Sequence, residues 1–142
     1  MKRDIENRAD IDHLMREFYA AAMADETIGY LFTEVAELDL DEHLPVIGDF
    51  WETILFQTGA YSKYGRTPLM VHGDLNSKSP LLFHHFERWL EIFAETVDSN
   101  FAGERAAFAK MRATAIANRM FHYVSGGDTG YFRNRPAAAE AG

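Results

Sequence analysis

The sequence predicts an all-α fold, and three observations support this prediction. Apolar residues recur three and four positions apart in several long stretches, which is the spacing of a helix that buries one face. No stretch alternates apolar and polar residues as a half-buried strand does. Residues typical of helix starts and stops flank the periodic stretches. The chain has 142 residues, a length typical of one domain with one core. We therefore expect a single domain over 1–142, with its core at about 11–124 and a flexible tail at 128–142.

The first helix is predicted to begin after Asp10, because an aspartate before an apolar-periodic stretch is a common helix cap. Its apolar positions are Ile11, Leu14, Met15, Phe18, Tyr19, Ala22 and Met23. A short apolar turn, "ETIGYLF", and an acidic connector, "TEVAELDLDE", follow it.

The second helix is predicted at about 41–57, with Gly59 as its stop. Its inward positions are Leu44, Ile47, Trp51, Ile54 and Leu55. Pro45 removes a backbone donor and is expected to disturb the first turns. The next stretch, 58–78, contains three glycines and one proline, and we expect it to be a long loop with one short helical turn at 68–72.

Two more helices are predicted after the loop. Ser79 and Pro80 are suited to be the cap and the first residue of the third, whose apolar positions are Leu82, Phe86, Trp89, Leu90, Phe93 and Val97. The last is predicted at about 103–124 and ends before a Gly-Gly pair. Its large or apolar positions are Phe108, Met111, Ala115 and Tyr123.

Charge and composition disfavour several classes of function. A net charge of −8 and a pI near 5.1 oppose binding to nucleic-acid phosphates. The start, "MKRDIENRAD", lacks the apolar run of a signal peptide, and no stretch has the length of a membrane helix. The absence of cysteine excludes disulfides, thiolate nucleophiles and covalent haem attachment through a C-x-x-C-H motif. We expect a cytoplasmic protein that binds neither nucleic acid nor membrane.

The aromatic content of 13% leaves two interpretations open: the core is simply aromatic, or it encloses a flat cofactor. His72, in "TPLMVHGDL", is either an ordinary loop histidine or an axial ligand of iron, which needs a neutral imidazole. Tyr19 and Trp89 are either core residues or hydrogen-bond donors to a ligand. His43 is either a solvated residue in a first helical turn or a gate over the ligand.

The order of four segments adds to these observations. "REFYAAAM", "DEHLPVIGDFW", "TPLMVHGDL" and "HHFERWLEIF" resemble the truncated haemoglobins, most closely their third group, over about 11–124. The resemblance implies a truncated globin, a two-over-two helical sandwich around non-covalent haem b. It implies His72 as the proximal iron ligand, and Tyr19, His43 and Trp89 as the residues facing a bound gas.

The same resemblance implies which other residues contact the cofactor. Ile47, one turn after His43, is expected to seal the pocket, and the aromatic residues expected to contact the haem are Phe32, Trp51 and Phe86. An acidic protein needs cations or donors for the haem propionates. Tyr64 and Arg66 on the loop are the leading candidates, with Lys63 and Arg88 as others.

Such a site implies reversible binding of dioxygen, NO and CO. It also suggests NO dioxygenase or peroxidase-like chemistry, supplied with electrons by an external reductase, because the sequence carries no flavin or nicotinamide motif.

Two other functions remain as alternatives. A non-haem di-iron bundle would use His13 with Glu17 and His84 with Glu87, which lie at helical spacing. This alternative is weaker because His13 and Glu17 fall on the polar side of the first helix, and His84 and His85 are likewise expected at the surface. A helical interaction domain without a cofactor is the second alternative.

Overall fold

The computed structural model describes residues 2–58, 72 and 75–125, and over these ranges the backbone is helical without a strand. The predicted all-α class is confirmed. The long helices are α1 (Arg8–Ala24), α2 (Leu40–Phe56), α3 (Phe83–Asn100) and α4 (Glu104–Ser125), with a π-helical turn at Leu31–Val35 between α1 and α2. A further helical segment covers 75–78, and His72 is also helical. None of these described helices is both long and apolar enough to cross a membrane.

The long helices pack as two pairs, α1 with α2 and α3 with α4, and the pairs face each other through α1 on α3 and α2 on α4. This is the predicted two-over-two arrangement. Phe18 and Phe93, each 1% exposed, are the largest fully buried side chains of the core. The expectation of a flexible tail at 128–142 concerns residues outside the described ranges.

The first helix begins earlier than predicted. Asn7 is its cap, and the side chain of Asn7 accepts a hydrogen bond from the backbone N–H of Asp10 at 3.0 Å. Asp10, the predicted cap, is buried in the first turn, where it accepts from Arg3 and from the backbone N–H of Glu6. The Arg3 guanidinium lowers the pKa of the Asp10 carboxyl. The prediction of Asp10 as the cap was therefore wrong: its carboxylate binds Arg3 and the Glu6 N–H, and Asn7 caps the helix.

The second helix lies close to its predicted range. Asp39 caps it by accepting from the backbone N–H of Glu42 at 3.3 Å. Gln57 ends it in the left-handed conformation, with φ of 56°, so the helix stops before Gly59, which lies outside the described residues. The helix continues through Pro45, whose carbonyl accepts from Arg8 at 3.2 Å. Arg8 also donates to Asp49 at 2.6 Å and so ties α1 to α2.

The start of the third helix differs from the prediction. Ser79 and Pro80 precede it, and the helix begins at Phe83 with Leu82 as the cap residue. The backbone N–H of Leu82 donates to Nδ1 of His85 at 3.0 Å, so a histidine at the third helical position satisfies this donor. Leu82, predicted to be inward, is 49% exposed. Of the other predicted apolar positions, Trp89 is half-buried and the rest are buried.

The buried face of the fourth helix is not the predicted one. Phe108, Met111, Ala115 and Tyr123 are all exposed. The helix instead buries small residues such as Ala109, Ala113 and Ala117, together with Met120 and Phe121. The prediction assumed that the large side chains of the helix mark its buried face. It was wrong because alanines let α4 approach its neighbours closely.

The segment before α1 completes the start of α4. The Asp4 carboxylate accepts from the backbone N–H groups of Arg105 and Ala106, both at 2.9 Å, and thereby caps the helix from about a hundred residues away. Gly103 has φ of +144°, and a Cβ there would lie 2.5 Å from the Asp4 side chain. Ile5 is fully buried. Position 103 therefore requires glycine. The burial of Ile5 and the contacts of Asp4 show that the N-terminal segment is packed against the helices.

Candidate functional site

One cavity is lined by all four long helices. Its volume is about 830 Å³ including the open mouth, within the ~300–1,000 Å³ typical of ligand and cofactor sites. The residues around it are mostly apolar or aromatic. Those that sequence reasoning had placed at a binding site are Tyr19, Phe32, Ile47, Trp51, His72, Phe86 and Trp89. Seven predicted site residues, drawn from separate parts of the sequence, therefore lie around one space.

Sequence reasoning missed the other lining residues. They are Ile28, Leu31, Phe50, Leu75, Leu81, His85, Ile116, Ala117 and Met120. Most are apolar and give no chemical signal in a sequence. Those on α4 were missed because the wrong face of that helix was expected to be inside.

Tyr19 and His43 are hydrogen-bonded to each other. The hydroxyl of Tyr19 lies 2.9 Å from Nε2 of His43, and the two rings meet edge to face with centroids 5.1 Å apart. His43 is not among the residues that line the cavity. It therefore contacts the cavity through Tyr19, and the helix around Pro45 keeps it within reach of α1.

Burial sets the protonation states of this pair. It raises the pKa of the Tyr19 hydroxyl, so the phenol stays protonated at neutral pH. It also lowers the pKa of His43, and the nearby His72 lowers it further by charge repulsion. A neutral imidazole can donate or accept at Nε2, so its tautomer decides which of the two residues is the donor.

The ring of Trp89 is held by two buried phenylalanines. It stacks on Phe93 with centroids 5.5 Å apart at 16°, and it meets Phe18 edge to face at 5.6 Å. Phe18 also contacts Tyr19 edge to face at 5.1 Å. Because one buried ring touches both predicted hydrogen-bond donors, packing at Phe18 fixes their positions relative to each other.

His72 lies at the cavity wall and is partly buried. Tyr64, Arg66 and Lys63, the residues expected near the haem propionates, fall outside the described residues. Arg88, the remaining candidate, donates through Nε to Asp25 at 2.9 Å. That contact fixes the end of α1 to α3, and it gives Arg88 a structural partner.

His85 was expected at the surface, but it is only 7% exposed and lines the cavity. Its Nδ1 accepts from the Leu82 N–H, so the neutral ring carries its proton on Nε2, which lies 3.1 Å from the hydroxyl of Tyr30. Burial, and secondly the adjacent His84, lower the pKa of His85. The expectation was wrong because helix periodicity does not reveal a side chain that turns back to cap its own helix.

The di-iron alternative lacks a converging ligand set in the described residues. The side chains of His13 and Glu17 are about half exposed and 3.8 Å apart, and His13 also contacts Asn100. His84 and Glu87 are exposed. Over the described ranges, no three or more histidine or acidic side chains are grouped as a metal site would require.

The described residues thus form two helix pairs around a mostly apolar cavity with a histidine on its wall. A solved structure agrees: the group III truncated hemoglobin from Campylobacter jejuni matches this chain with a TM-score of 0.72 and 29% sequence identity, covering 91% of this chain and 97% of that chain. The truncated haemoglobin fold and the resemblance to its third group are thus confirmed. No family model matches the chain, and no curated protein is significantly similar in sequence.

Proposed function

We propose that the chain binds haem b non-covalently in the cavity and, through it, binds dioxygen and other diatomic gases reversibly. The observation that carries this proposal is the convergence of His72, Tyr19 and Trp89 on one aromatic cavity. The fold of the group III truncated hemoglobin supports the same assignment.

The residues present fit a porphyrin. The cavity walls are apolar and largely aromatic, as a flat hydrophobic ring requires, and they include Phe32, Trp51 and Phe86. His72 adds an imidazole, the side chain that most often binds haem iron in globins. With no cysteine in the chain, thioether attachment is excluded and the haem would be held by His72 and by packing.

Haem, when bound, supplies an iron atom that can take a diatomic ligand. The chain's own contribution is to position donors beside that ligand. The Tyr19 hydroxyl and the Trp89 indole N–H both belong to cavity-lining side chains, and each well-aligned donor would hold a polarised gas by ~1 kcal/mol or more. The buried rings of Phe18 and Phe93 keep Trp89 in one orientation and so reduce the entropy lost on binding.

His43 would orient the proton of Tyr19. In the tautomer with hydrogen on Nε2, His43 donates to the Tyr19 oxygen and leaves the phenolic proton free to point into the cavity. We assign this tautomer, because it is the one in which Tyr19 serves a ligand. The lowered pKa of His43 keeps the ring neutral at neutral pH, as this role requires.

Donors at Tyr19 and Trp89 would slow the release of dioxygen, and slow release would suit oxidation of nitric oxide or handling of peroxide better than oxygen delivery. Either reaction consumes electrons, and the chain carries no motif for a flavin or nicotinamide cofactor. We therefore include an external reductase in the proposal.

An absorption spectrum of the purified chain with added haemin tests the assignment. We expect a strong Soret band that shifts when carbon monoxide is added to the reduced protein. His72→Ala should lose the haem on gel filtration or show the spectrum of an altered axial ligand. His13→Ala, at a half-exposed histidine on the outside of α1, is the matched control and should bind haem like the parent. A parent chain without a Soret band, or identical spectra for both variants, would overturn the assignment.

A further inference from the structure

The outer side of α4 is unusually apolar for a surface. Five large hydrophobic side chains are exposed in the described residues, and three of them lie on this helix: Phe108 at 38%, Met111 at 45% and Tyr123 at 53%. Single exposed hydrophobic residues need no explanation, but several on one helix face mark an interaction surface.

The same side of the helix is basic. Arg112 and Arg119 are exposed, and at 3.6 residues per turn they lie between Phe108 and Tyr123 around the helix axis. Neither arginine forms an ion pair with any residue in the described ranges. We call the set of Phe108, Met111, Arg112, Ala115, Arg119 and Tyr123 the outer face of α4.

The charge of this helix is opposite to that of the rest of the chain. Residues 104–125 carry three arginines, one lysine and one glutamate, which gives this helix a net charge of +3. Because the whole chain has a net charge of −8, the residues outside the helix have a net charge of −11. The lysine, Lys110, is buried and donates to Asp98 at 2.7 Å, and Arg105 lies over the ring of Phe56. Arg112 and Arg119 are thus exposed cations without an ion pair in the described residues, and a partner with a carboxylate patch fits them.

The inner side of the same helix lines the cavity. Ile116, Ala117 and Met120 lie on the cavity wall, and at 3.6 residues per turn they occupy a side of the helix that borders the outer face near Tyr123. The helix diameter is about 10–12 Å. A molecule seated on the outer face would therefore be about one helix away from the proposed haem.

We propose that the outer face of α4 docks a small acidic one-electron carrier protein that reduces the haem. This inference rests on the haem function proposed above and names its partner by chemistry. In the haem-loaded protein, one electron would pass from the reduced carrier to ferric iron and leave ferrous iron and oxidised carrier, with no bond or proton transferred. Redox encounters of this kind use small interfaces and dissociate quickly. Three apolar side chains with two arginines form a patch of that modest size.

Stopped-flow reduction of the ferric haem-loaded protein tests this proposal. The probe is a reduced plant-type [2Fe–2S] ferredoxin, an acidic carrier with a potential of about −400 mV, and dithionite serves as the small-molecule comparison. Arg112→Glu combined with Arg119→Glu should slow reduction by ferredoxin about tenfold or more at low salt, since like charges would then face each other. The Soret band of this double variant and its rate of reduction by dithionite should match those of a control double variant with the same change in net charge.

Lys2→Glu combined with Arg16→Glu is the matched control. Both are exposed cations that do not belong to the outer face of α4, and the pair changes the net charge equally. This control should keep ferredoxin reduction within about threefold of the parent, and about 0.5 M salt should remove most of the difference between the two double variants. Phe108→Ser should weaken ferredoxin binding without changing its salt dependence.

The outcomes separate the two proposals. Haem uptake is measured before any reduction. If the chain takes up no haem, the proposed haem function and the proposed docking site are both overturned. A normal Soret band with equal ferredoxin rates in both double variants would overturn the docking site alone. Docking would also be overturned if Arg112→Glu with Arg119→Glu abolished a parent dimer in sedimentation velocity, or abolished binding to vesicles of anionic lipid, since the face would then serve a second copy or a membrane.

Discussion

Helices α1 and α4 differ in the size of the side chains that they bury. Helix α1 buries its large side chains, including Leu14, Met15 and Phe18, each at 1% exposure. Helix α4 buries alanines and leaves Phe108 and Met111 outside. Both helices line the cavity, but α1 contributes the hydroxyl of Tyr19 whereas α4 contributes only apolar side chains.

The difference shows that a helix face is selected by the shape of its neighbours as well as by hydrophobicity. Helix α1 meets the aromatic side chains of α3, and large side chains fill the space between them. Helix α4 packs on α3, and it buries alanines such as Ala109 and Ala113, both 0% exposed. Phe108 and Met111 thereby remain at the surface.

The largest effect is expected from removing a buried ring in α1. Phe18→Ala should lower the free energy of unfolding by about 3–5 kcal/mol, because the cavity it leaves also removes support from Tyr19 and Trp89. Phe108→Ala, the same change on α4, should cost about 0.5 kcal/mol or less. Urea unfolding followed by circular dichroism measures both. Equal losses would show that the outer face of α4 is packed and would end the contrast between the helices.

The close approach of α4 predicts the next effect. Ala113→Leu should destabilise the chain by about 1–3 kcal/mol, because the added atoms have no space at a fully buried position. Ala115→Leu, two residues further on and exposed, should be nearly neutral in the same unfolding experiment. A stable Ala113→Leu would mean that a void lies under the helix.

Substitutions in the α1 wall and in the α4 wall of the cavity should differ in their effect on the rate of dioxygen release. Tyr19→Phe removes a donor and should speed dioxygen release from the haem-loaded protein about tenfold, which corresponds to ~1.4 kcal/mol. Met120→Leu, a volume-conserving change in the α4 wall, should change release little. Flash photolysis or ligand replacement measures these rates. Unchanged release in Tyr19→Phe would remove Tyr19 from the distal site.

The sign of the effect at His43 tests the assigned tautomer. If His43 donates to Tyr19, His43→Phe should speed release severalfold, because the phenolic proton loses its orientation. If His43 accepts from Tyr19 instead, the same variant would free the phenolic proton and slow release. Slower release would therefore contradict the donor role assigned to His43.

The smallest effect concerns pH. Burial lowers the pKa of His85 in the folded chain below its ordinary value of about 6.5. At a pH between the folded pKa and about 6.5, the unfolded chain therefore binds a proton that the folded chain does not. The stability contribution is complete above about pH 6.5 and is lost as pH falls towards the folded pKa. Unfolding midpoints should decrease over this window.

His85→Gln checks the cause of that pH dependence. Glutamine at the third helical position can still accept from the Leu82 N–H, but it does not titrate. We expect a flatter decrease with pH and nearly unchanged stability at pH 7.5. An identical pH profile would assign the decrease to other groups, with His43 the first to examine.

Local sequence signals predicted most of the helices but not the detail of their ends. Periodicity located α1, α2, α3 and α4 because a helix that buries one face must repeat its apolar residues. It predicted Asp10 as the cap of α1 and missed Asn7, because a local pattern does not show that Asp10 is bound by Arg3 and by the Glu6 N–H. The cap of α4, Asp4, comes from a part of the chain that no local pattern connects with it.

By itself, the sequence determined the helical class and brought out Tyr19, His43, His72 and Trp89, because apolar spacing and distinctive side chains are properties of short segments. Tertiary structure alone decided that α4 faces inward with its alanines, that His85 turns into the cavity, and that Tyr19 meets His43. Each of these depends on the distance between two helices, which packing of the whole core sets and which no single segment encodes.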